Sequence, residues 1–222
     1  MPTYFVTGGT GFVGSHFAEQ AVRRGHRVRC LARPSADTSF LKSVGAEIVH
    51  GDLSDPTGLA DALNGVDVVV HSAAKVGDWG HVDEYRKVNV EGLSRLLDAV
   101  TGKPITRFVH LSSLGVYEAR HHYGTDEAEP LPEFHIDGYT QSKVEAETLA
   151  MKYHREKGVP VTILRPGFIY GSRDRNVLPK LVDQLREGWI IYIAKGKYAL
   201  NTTYVGNLVD AIFLAAENPA AV

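Results

Sequence analysis

The sequence predicts an α/β fold, a doubly wound parallel sheet with helices on both faces, and three observations carry that prediction. Short β-rich runs alternate along the chain with longer stretches whose apolar residues recur at helical spacing. A Gly-rich turn joins the first such run to the first helical stretch. The chain has 222 residues, 44% of them hydrophobic, enough for a substantial core, yet no apolar stretch reaches the ~18 residues that cross a bilayer. Strands that alternate with helices pair in parallel, and the crossing helices cover both faces of the sheet.

Thr3 to Thr7 opens the chain as a strand, followed by Gly8-Gly9-Thr10-Gly11-Phe12-Val13-Gly14 and a helix patterned by Phe17, Ala21 and Val22. Strand, glycine turn and helix in this order make a phosphate cradle. Gly8 permits the tight turn, Gly11 lets backbone approach a pyrophosphate, and Gly14 lets the helix pack closely on the strand. Thr10, Phe12 and Val13 complete the cofactor-facing loop, whose free N–H groups meet the phosphate charge. Further strands fall near Arg27 to Leu31, Glu47 to His50, Val66 to His71, Arg107 to Leu111 and Val161 to Leu164. Helices are expected around Pro56 to Asn64, Tyr85 to Val100, Gly138 to Lys157, Val177 to Glu187 and Asn207 to Glu217. Glu118 to Asp137, rich in His, Glu, Pro and Gly, reads as a long loop, either a functional lid or a mobile segment. The apolar run Trp189 to Ala194 has the length of a strand in a substrate region, and that reading is preferred to a membrane-surface patch.

A formal charge of -2 with both signs interspersed leaves no footprint for nucleic acid. The single cysteine, Cys30, lies in an apolar strand pattern, so no disulfide forms within the chain and a buried thiol in a reducing cytoplasm is expected. No signal peptide precedes the first strand. His121, His122 and His135 lack the cysteine or carboxylate company of a zinc site, and no metal is expected.

Tyr139 and Lys143 stand four residues apart in Tyr139-Thr140-Gln141-Ser142-Lys143. On a helix these positions share a face, so the ammonium can lie beside the phenol and favour its phenolate. Free tyrosine titrates near ~10, and bringing it to neutrality takes about three pKa units, roughly 4 kcal/mol, which one close cation in a partly desolvated site can largely supply. The pair marks Tyr139 as a candidate acid/base.

With these motifs in place the chain resembles the extended short-chain dehydrogenases/reductases, the group that includes the NAD(P)-dependent epimerase/dehydratase proteins, from Thr3 to about Asn218. Beyond the glycine loop and the Tyr/Lys pair, the resemblance rests on Gly51-Asp52-Leu53, His71-Ser72-Ala73-Ala74, Asn89-Val90-Glu91-Gly92, Leu111-Ser112-Ser113 and Leu164-Arg165-Pro166-Gly167-Phe168-Ile169-Tyr170-Gly171. It implies a Rossmann-type fold in which Asp52 bonds the adenine amine and Leu53 flanks the ring. Ala73, Ala74 and Pro166 would line the cofactor, with Lys75, Ser112, Gly167 and Ile169 beside them. The implied chemistry is hydride exchange between a nicotinamide C4 and a carbinol carbon. Tyr139 would move the hydroxyl proton, Ser113 hold the substrate oxygen, with Ser112 as its alternative, and Lys143 lower the tyrosine pKa and contact the nicotinamide ribose. Asn89 would support a proton-relay water.

The end of the second strand reads Leu31-Ala32-Arg33-Pro34-Ser35, where an acidic residue would exclude a 2′-phosphate. Arg33 suits that phosphate, so NADP is preferred to NAD, the alternative being an arginine that stacks only on adenine. Ser113 is followed by Leu114-Gly115 where sugar-nucleotide dehydratases carry Asp-Glu, which disfavours dehydration. Ala73 to Gly80 and Asn201 to Val209 resemble the 3β-hydroxysteroid dehydrogenase branch and its dihydroflavonol-reductase-like relatives, which handle apolar alcohols and ketones. Trp79, Phe168 and Tyr170 are then substrate contacts or ordinary packing. Residues 1–165 read as the dinucleotide-binding domain with the catalytic helix. Residues 166–222 begin a substrate-binding region interleaved with the last Rossmann elements, and the chain reads as truncated against family members that continue. A small-molecule substrate and a possible homodimer are expected, with a nucleotide-sugar epimerase and a non-catalytic NAD(P)-binding regulator as the other readings.

Overall fold

The structure, a computed structural model, describes residues 1–77, 79–135, 137–175, 177–188, 195 and 200–221. Six strands form its main sheet: β1 (Thr3–Thr7), β2 (Arg27–Ala32), β3 (Glu47–His50), β4 (Val68–His71), β5 (Arg107–Leu111) and β6 (Val161–Leu164). Their order is β3-β2-β1-β4-β5-β6, and every neighbouring pair is parallel. The chain therefore winds outward from β1 to β3, returns, and winds the other way from β4. The reversal opens a crevice beyond the carboxyl ends of β1 and β4, where sheets of this kind take their ligands. Every residue of β1 and β4 is buried, as strands covered on both faces must be.

The helices are α1 (Phe12–Arg23), α2 (Ser39–Ser43), α3 (Leu59–Ala62), α4 (Val82–Arg86), α5 (Gly92–Val100), α6 (Gly138–Lys157), α7 (Val177–Arg186) and α8 (Val205–Glu217). On one face, Phe17, Ala21, Leu41, Ile212 and Phe213 from α1, α2 and α8 pack on Tyr4, Val6, Val68 and Val109. On the other, Leu59, Leu93, Leu97, Ala146 and Ala150 from α3, α5 and α6 pack on Phe5, Val69, Phe108 and Val161. A π-helical turn at Lys87–Glu91 joins α4 to α5.

Sequence and structure agree on the six main strands, with β4 starting at Val68 rather than Val66, and on α6 to the residue. The Asp137 carboxylate caps α6 by accepting from the Thr140 N–H at 2.8 Å and from its hydroxyl at 2.7 Å, and Gly158 ends it at φ 69°. The helix expected over Pro56 to Asn64 contracts to Leu59–Ala62 because Gly58 enters it at φ 73°, a left-handed turn. Three elements were not expected: α2, only five residues long, and β7 (Phe168–Tyr170) and β8 (Thr202–Tyr204), which pair in parallel as a separate sheet. The apolar run at 189–194 lies outside the described residues.

The residues after 165 go to two places. β7 and β8 continue beyond the carboxyl end of β6, whereas α8 returns to the main core. Its Phe213 ring lies 4.8 Å from Phe17 and 6.1 Å from Tyr4, with the Arg24 guanidinium 3.8 Å from its centroid. Phe213→Ala is therefore expected to lower stability by about 3–5 kcal/mol in urea unfolding, against about 0.5 kcal/mol or less for the exposed neighbour Leu214→Ala. Equal effects would mean that α8 contributes little to the core.

Candidate active site

The glycine loop forms its cradle by close approach. Gly8 has φ 74°, and a Cβ there would stand 2.7 Å from the Ala73 nitrogen. A Cβ on Gly14 would stand 2.3 Å from the Gly8 carbonyl oxygen, so α1 can pack against the strand ends only without one. Gly11 caps α1 with no side-chain bond, and no acidic residue stands in the first turn, which leaves that turn's N–H groups free for an anion. Thr10 and Gly11 are exposed, and Phe12 and Val13 are half-buried. The ends of β1 and β4 are tied together, with the Ser72 hydroxyl donating to the Thr7 carbonyl at 2.7 Å.

At the adenosine end Arg33 is exposed just past β2, and Asp52 lines a small pocket with Leu31, His50, Gly51 and Gly58. The Asp52 carboxylate accepts from the Ser54 N–H at 2.8 Å. That bond, with the Ser54 hydroxyl and the nearby Arg33 charge, holds its pKa below the ordinary value. Leu53 packs in the core layer against α3 and α5 and keeps 9% of its surface exposed.

Ser113, Tyr139 and Lys143 come together past the end of β5. Ser113 is half-buried, its hydroxyl accepts from the Gly115 N–H at 3.1 Å, and it lies near enough to the Tyr139 phenol to act on that group's pKa. Lys143 is buried, donates from Nζ to the Leu111 carbonyl at 2.8 Å, and stands 5.9 Å from the centre of the tyrosine ring. The expected lowering of the Tyr139 pKa is not what the geometry produces here. Burial raises it, the nearby Ser113 hydroxyl only partly offsets that, and Asp137 adds to the rise. Burial also draws Lys143 down to about 8, against the pull of Glu147. Burial is the largest influence on the phenol, and the Lys143 ammonium is directed to the Leu111 carbonyl rather than to the phenol oxygen.

The other expected residues divide. Ser112 is buried, and its hydroxyl is enclosed without a partner among the described residues, so it faces no crevice. Asn89, in the π turn, makes three hydrogen bonds through its amide: Oδ1 accepts from the Lys75 N–H at 2.7 Å, and Nδ2 donates to the Lys75 carbonyl at 3.1 Å and to the Ser142 hydroxyl at 2.9 Å. It clamps the loop after β4 onto α6, with both amide hydrogens used and one Oδ1 lone pair left. Lys75 pairs through its ammonium with Glu84. Ala73 and Ala74 are half-buried beside the cradle. Pro166 accepts from the Leu114 N–H at 2.9 Å, the Gly167 N–H donates to Thr203 Oγ1 at 3.2 Å, and Ile169 packs on the core. Trp79 (93% exposed), Phe168 (61%) and Tyr170 (40%) are not packed inside. The loop at 118–135 holds no helix or strand but is pinned, by Arg120 to Glu118 and Glu129 and by His135 to Val116. His122 bonds Thr125 and the Glu118 carbonyl. Among the described residues no group of three or more His, Cys, Asp or Glu could hold a metal ion, and no helix is long and apolar enough to cross a membrane.

The match to known proteins follows the same geometry. The model of the NAD dependent epimerase/dehydratase family matches residues 4–222. This chain belongs to that family. A ketoreductase of 4-hydroxy-2-methyl-3-oxo-4-farnesyl-3,4-dihydroquinoline-1-oxide from Stigmatella aurantiaca is 33% identical over 96% of the chain and 64% of its own length. A 3 beta-hydroxysteroid dehydrogenase/Delta 5-->4-isomerase of Mycobacterium tuberculosis is 33% identical over 95% and 59%. The chain thus spans less than two thirds of these relatives. Among solved structures, the UDP-glucuronic acid 4-epimerase of Bacillus cereus, in complex with UDP-glucuronic acid and NAD, superposes with a TM-score of 0.84 at 26% identity, over 97% of the chain and 73% of its own. The residues of the glycine turn fit the family's dinucleotide: the first turn of α1 has neither a side-chain cap nor an acidic residue, and Thr10 and Gly11 beside it are exposed.

Sequence reasoning missed two buried histidines behind this site, because each reads as one more residue of a strand. His71 and His110 pair across β4 and β5 and stack with centroids 5.4 Å apart at 15°. His71 Nδ1 meets Thr7 Oγ1 at 2.7 Å, while both His110 nitrogens lack partners among the described residues. Burial first, and the Lys143 charge second, press His71 down to about 3 and His110 well below its ordinary value. Both stay neutral in the fold but take up protons below about pH 6.5 once unfolded, so stability is expected to fall as pH drops from 6.5, by about 1.4 kcal/mol per unit for each. Urea unfolding at pH 7, 6 and 5 measures this slope, which His110→Phe should roughly halve. A slope unaffected by that substitution would place the acid sensitivity elsewhere.

Proposed function

We propose that this chain carries NADP-dependent hydride transfer between the nicotinamide and an apolar secondary alcohol or ketone. The observation behind the reading is the meeting of Ser113, Tyr139 and Lys143 at the carboxyl edge of the sheet, on the same side as the glycine turn and the uncapped start of α1. When bound, the nicotinamide supplies or accepts the hydride. The chain's own groups handle the oxygen. Ser113, beside the phenol, would hold the substrate oxygen at its hydroxyl, and Tyr139 would pass the proton to it or take it away.

The raised phenol pKa favours one direction. At neutral pH Tyr139 keeps its proton and is ready to donate, which is what reducing a ketone requires. Oxidation needs the phenolate, and Lys143 would stabilise it while contacting the nicotinamide ribose. The exposed Trp79, Phe168 and Tyr170 support an apolar substrate, as do relatives named for a farnesylated quinoline and a steroid. Arg33, at the strand end where an acid would repel a 2′-phosphate, supports NADP over NAD. Cys30, buried and pushed up to about 12, suits a reducing cytoplasm.

Tyr139→Phe is expected to bind the cofactor with nearly unchanged affinity and to turn over about 10² times more slowly or worse, the scale of a lost acid/base. Stopped-flow reduction of steroid-like ketones, with nucleotide sugars run alongside, checks it, and near-normal turnover with chemistry limiting would remove Tyr139 from the proton path. Arg33→Ala is expected to weaken NADP about 10- to 150-fold, the equivalent of 1.5 to 3 kcal/mol of charge-assisted bonding, and to leave NAD nearly untouched. Side-by-side fluorescence titrations at fixed salt decide this, and an NAD preference in the unmodified chain would overturn the assignment.

A further inference from the structure

Glu147 stands one helical turn beyond Lys143 on the buried side of α6 and is itself 3% exposed. A carboxylate that deep stays charged only with a well-placed partner, and Arg165 is that partner. Arg165 Nε donates to the two carboxylate oxygens at 3.0 and 3.1 Å, and Nη2 donates to Oε2 at 2.6 Å. Its remaining arm, Nη1, donates to the Tyr117 hydroxyl at 2.7 Å, with the guanidinium 4.9 Å from that ring's centroid. Tyr117 in turn donates to the Asp126 carbonyl at 3.2 Å. Arg165 also immediately precedes Pro166, whose carbonyl accepts from Leu114, the residue after Ser113. One ion pair therefore joins the helix of Tyr139 and Lys143, the turn that carries Ser113 and Tyr117, and the end of β6.

We propose that Glu147 and Arg165 are positioning residues of this site: they lock those three segments in register, and the Glu147 carboxylate keeps the Lys143 ammonium charged. The proposal rests on the reading of Tyr139 and Lys143 as the acid/base pair. Lys143 is faced by Tyr139 and Glu147 from its own helix, by His71 from β4 and by His110 from β5. Neutral histidines and a protonated phenol supply no anion, so among these groups Glu147 alone favours the ammonium, against the burial that draws it down to about 8. Arg165 matters to Lys143 by holding that anion in place.

The test is an NMR titration of Cε-labelled lysines in the whole chain, with Lys143 assigned by its absence from Lys143→Arg. Glu147→Gln is expected to lower the Lys143 midpoint by about one unit. Glu147→Gln/Arg165→Met, which leaves no unpaired guanidinium and so guards against simple misfolding, should lower it as well. Arg165→Lys keeps the carboxylate charged and should leave the midpoint within about 0.3 units, yet it loses the fork and should raise hydrogen exchange at the Leu114 amide about tenfold or more. An unchanged midpoint in both Glu147 variants overturns the electrostatic role, and unchanged exchange in Arg165→Lys overturns the locking role. Neither measurement needs substrate or cofactor, so a chain that failed to bind nicotinamide would defeat the proposed function separately from these results.

Discussion

A side chain at position 14 would meet the Gly8 carbonyl oxygen at 2.3 Å and the Ser72 hydroxyl at 2.8 Å, so the first helix reaches its seat only because that residue ends at Cα. Much of the ligand edge follows from that contact. It brings the uncapped N–H groups of α1 to the point where the winding of the sheet reverses, and it leaves room for the β4 loop to cross above Gly8. The Thr7 carbonyl then takes the Ser72 hydroxyl, and its side chain takes His71. From that loop Lys75 is clamped by Asn89, and Asn89 reaches Ser142 on α6. A steric allowance at one glycine is thus passed by hydrogen bonds to a helix that begins far along the chain.

The electrostatics of the edge are governed by burial more than by charge pairing. Desolvation moves Tyr139 up and Lys143 down, so each group is pushed toward its uncharged form. A phenol that holds its proton and an ammonium that holds its own loosely make a site whose balance responds to whatever fills it. A bound oxygen that accepts from the phenol, or a ribose that draws Nζ away from the Leu111 carbonyl, would change the balance more than any distant charge could.

The sheet was legible in the sequence because each strand is a short apolar run bounded by turn formers, and parallel strands buried on both faces must look that way. α6 was legible from the helical spacing of its apolar residues, and its ends fall where Asp137 and Gly158 cap it in the structure. Gly8 and Gly14 were legible because absence of a side chain is itself the signal. What failed to show was whatever depends on which way a group turns. Leu53 and Ile169 pack partly on the core, the Ser112 hydroxyl is enclosed while that of Ser113 is not, and the Asn89 amide bonds the Lys75 backbone and Ser142. Glu147 and His110 were invisible for a related reason, since each sits in an ordinary helical or strand pattern and gains its meaning from a partner on another element. α2, β7 and β8 fell below the length at which periodicity can be counted.

The placement of α8 has a consequence for the order in which the molecule can assemble. Phe213 completes the layer that holds Tyr4 and Phe17, the strand and helix on either side of the glycine turn. During synthesis the amino-terminal segment leaves the ribosome about 200 residues before the ring that finishes its packing. The glycine turn, made well before that ring, therefore waits for α8 to complete the packing beneath it, and until then its apolar underside is exposed to other chains.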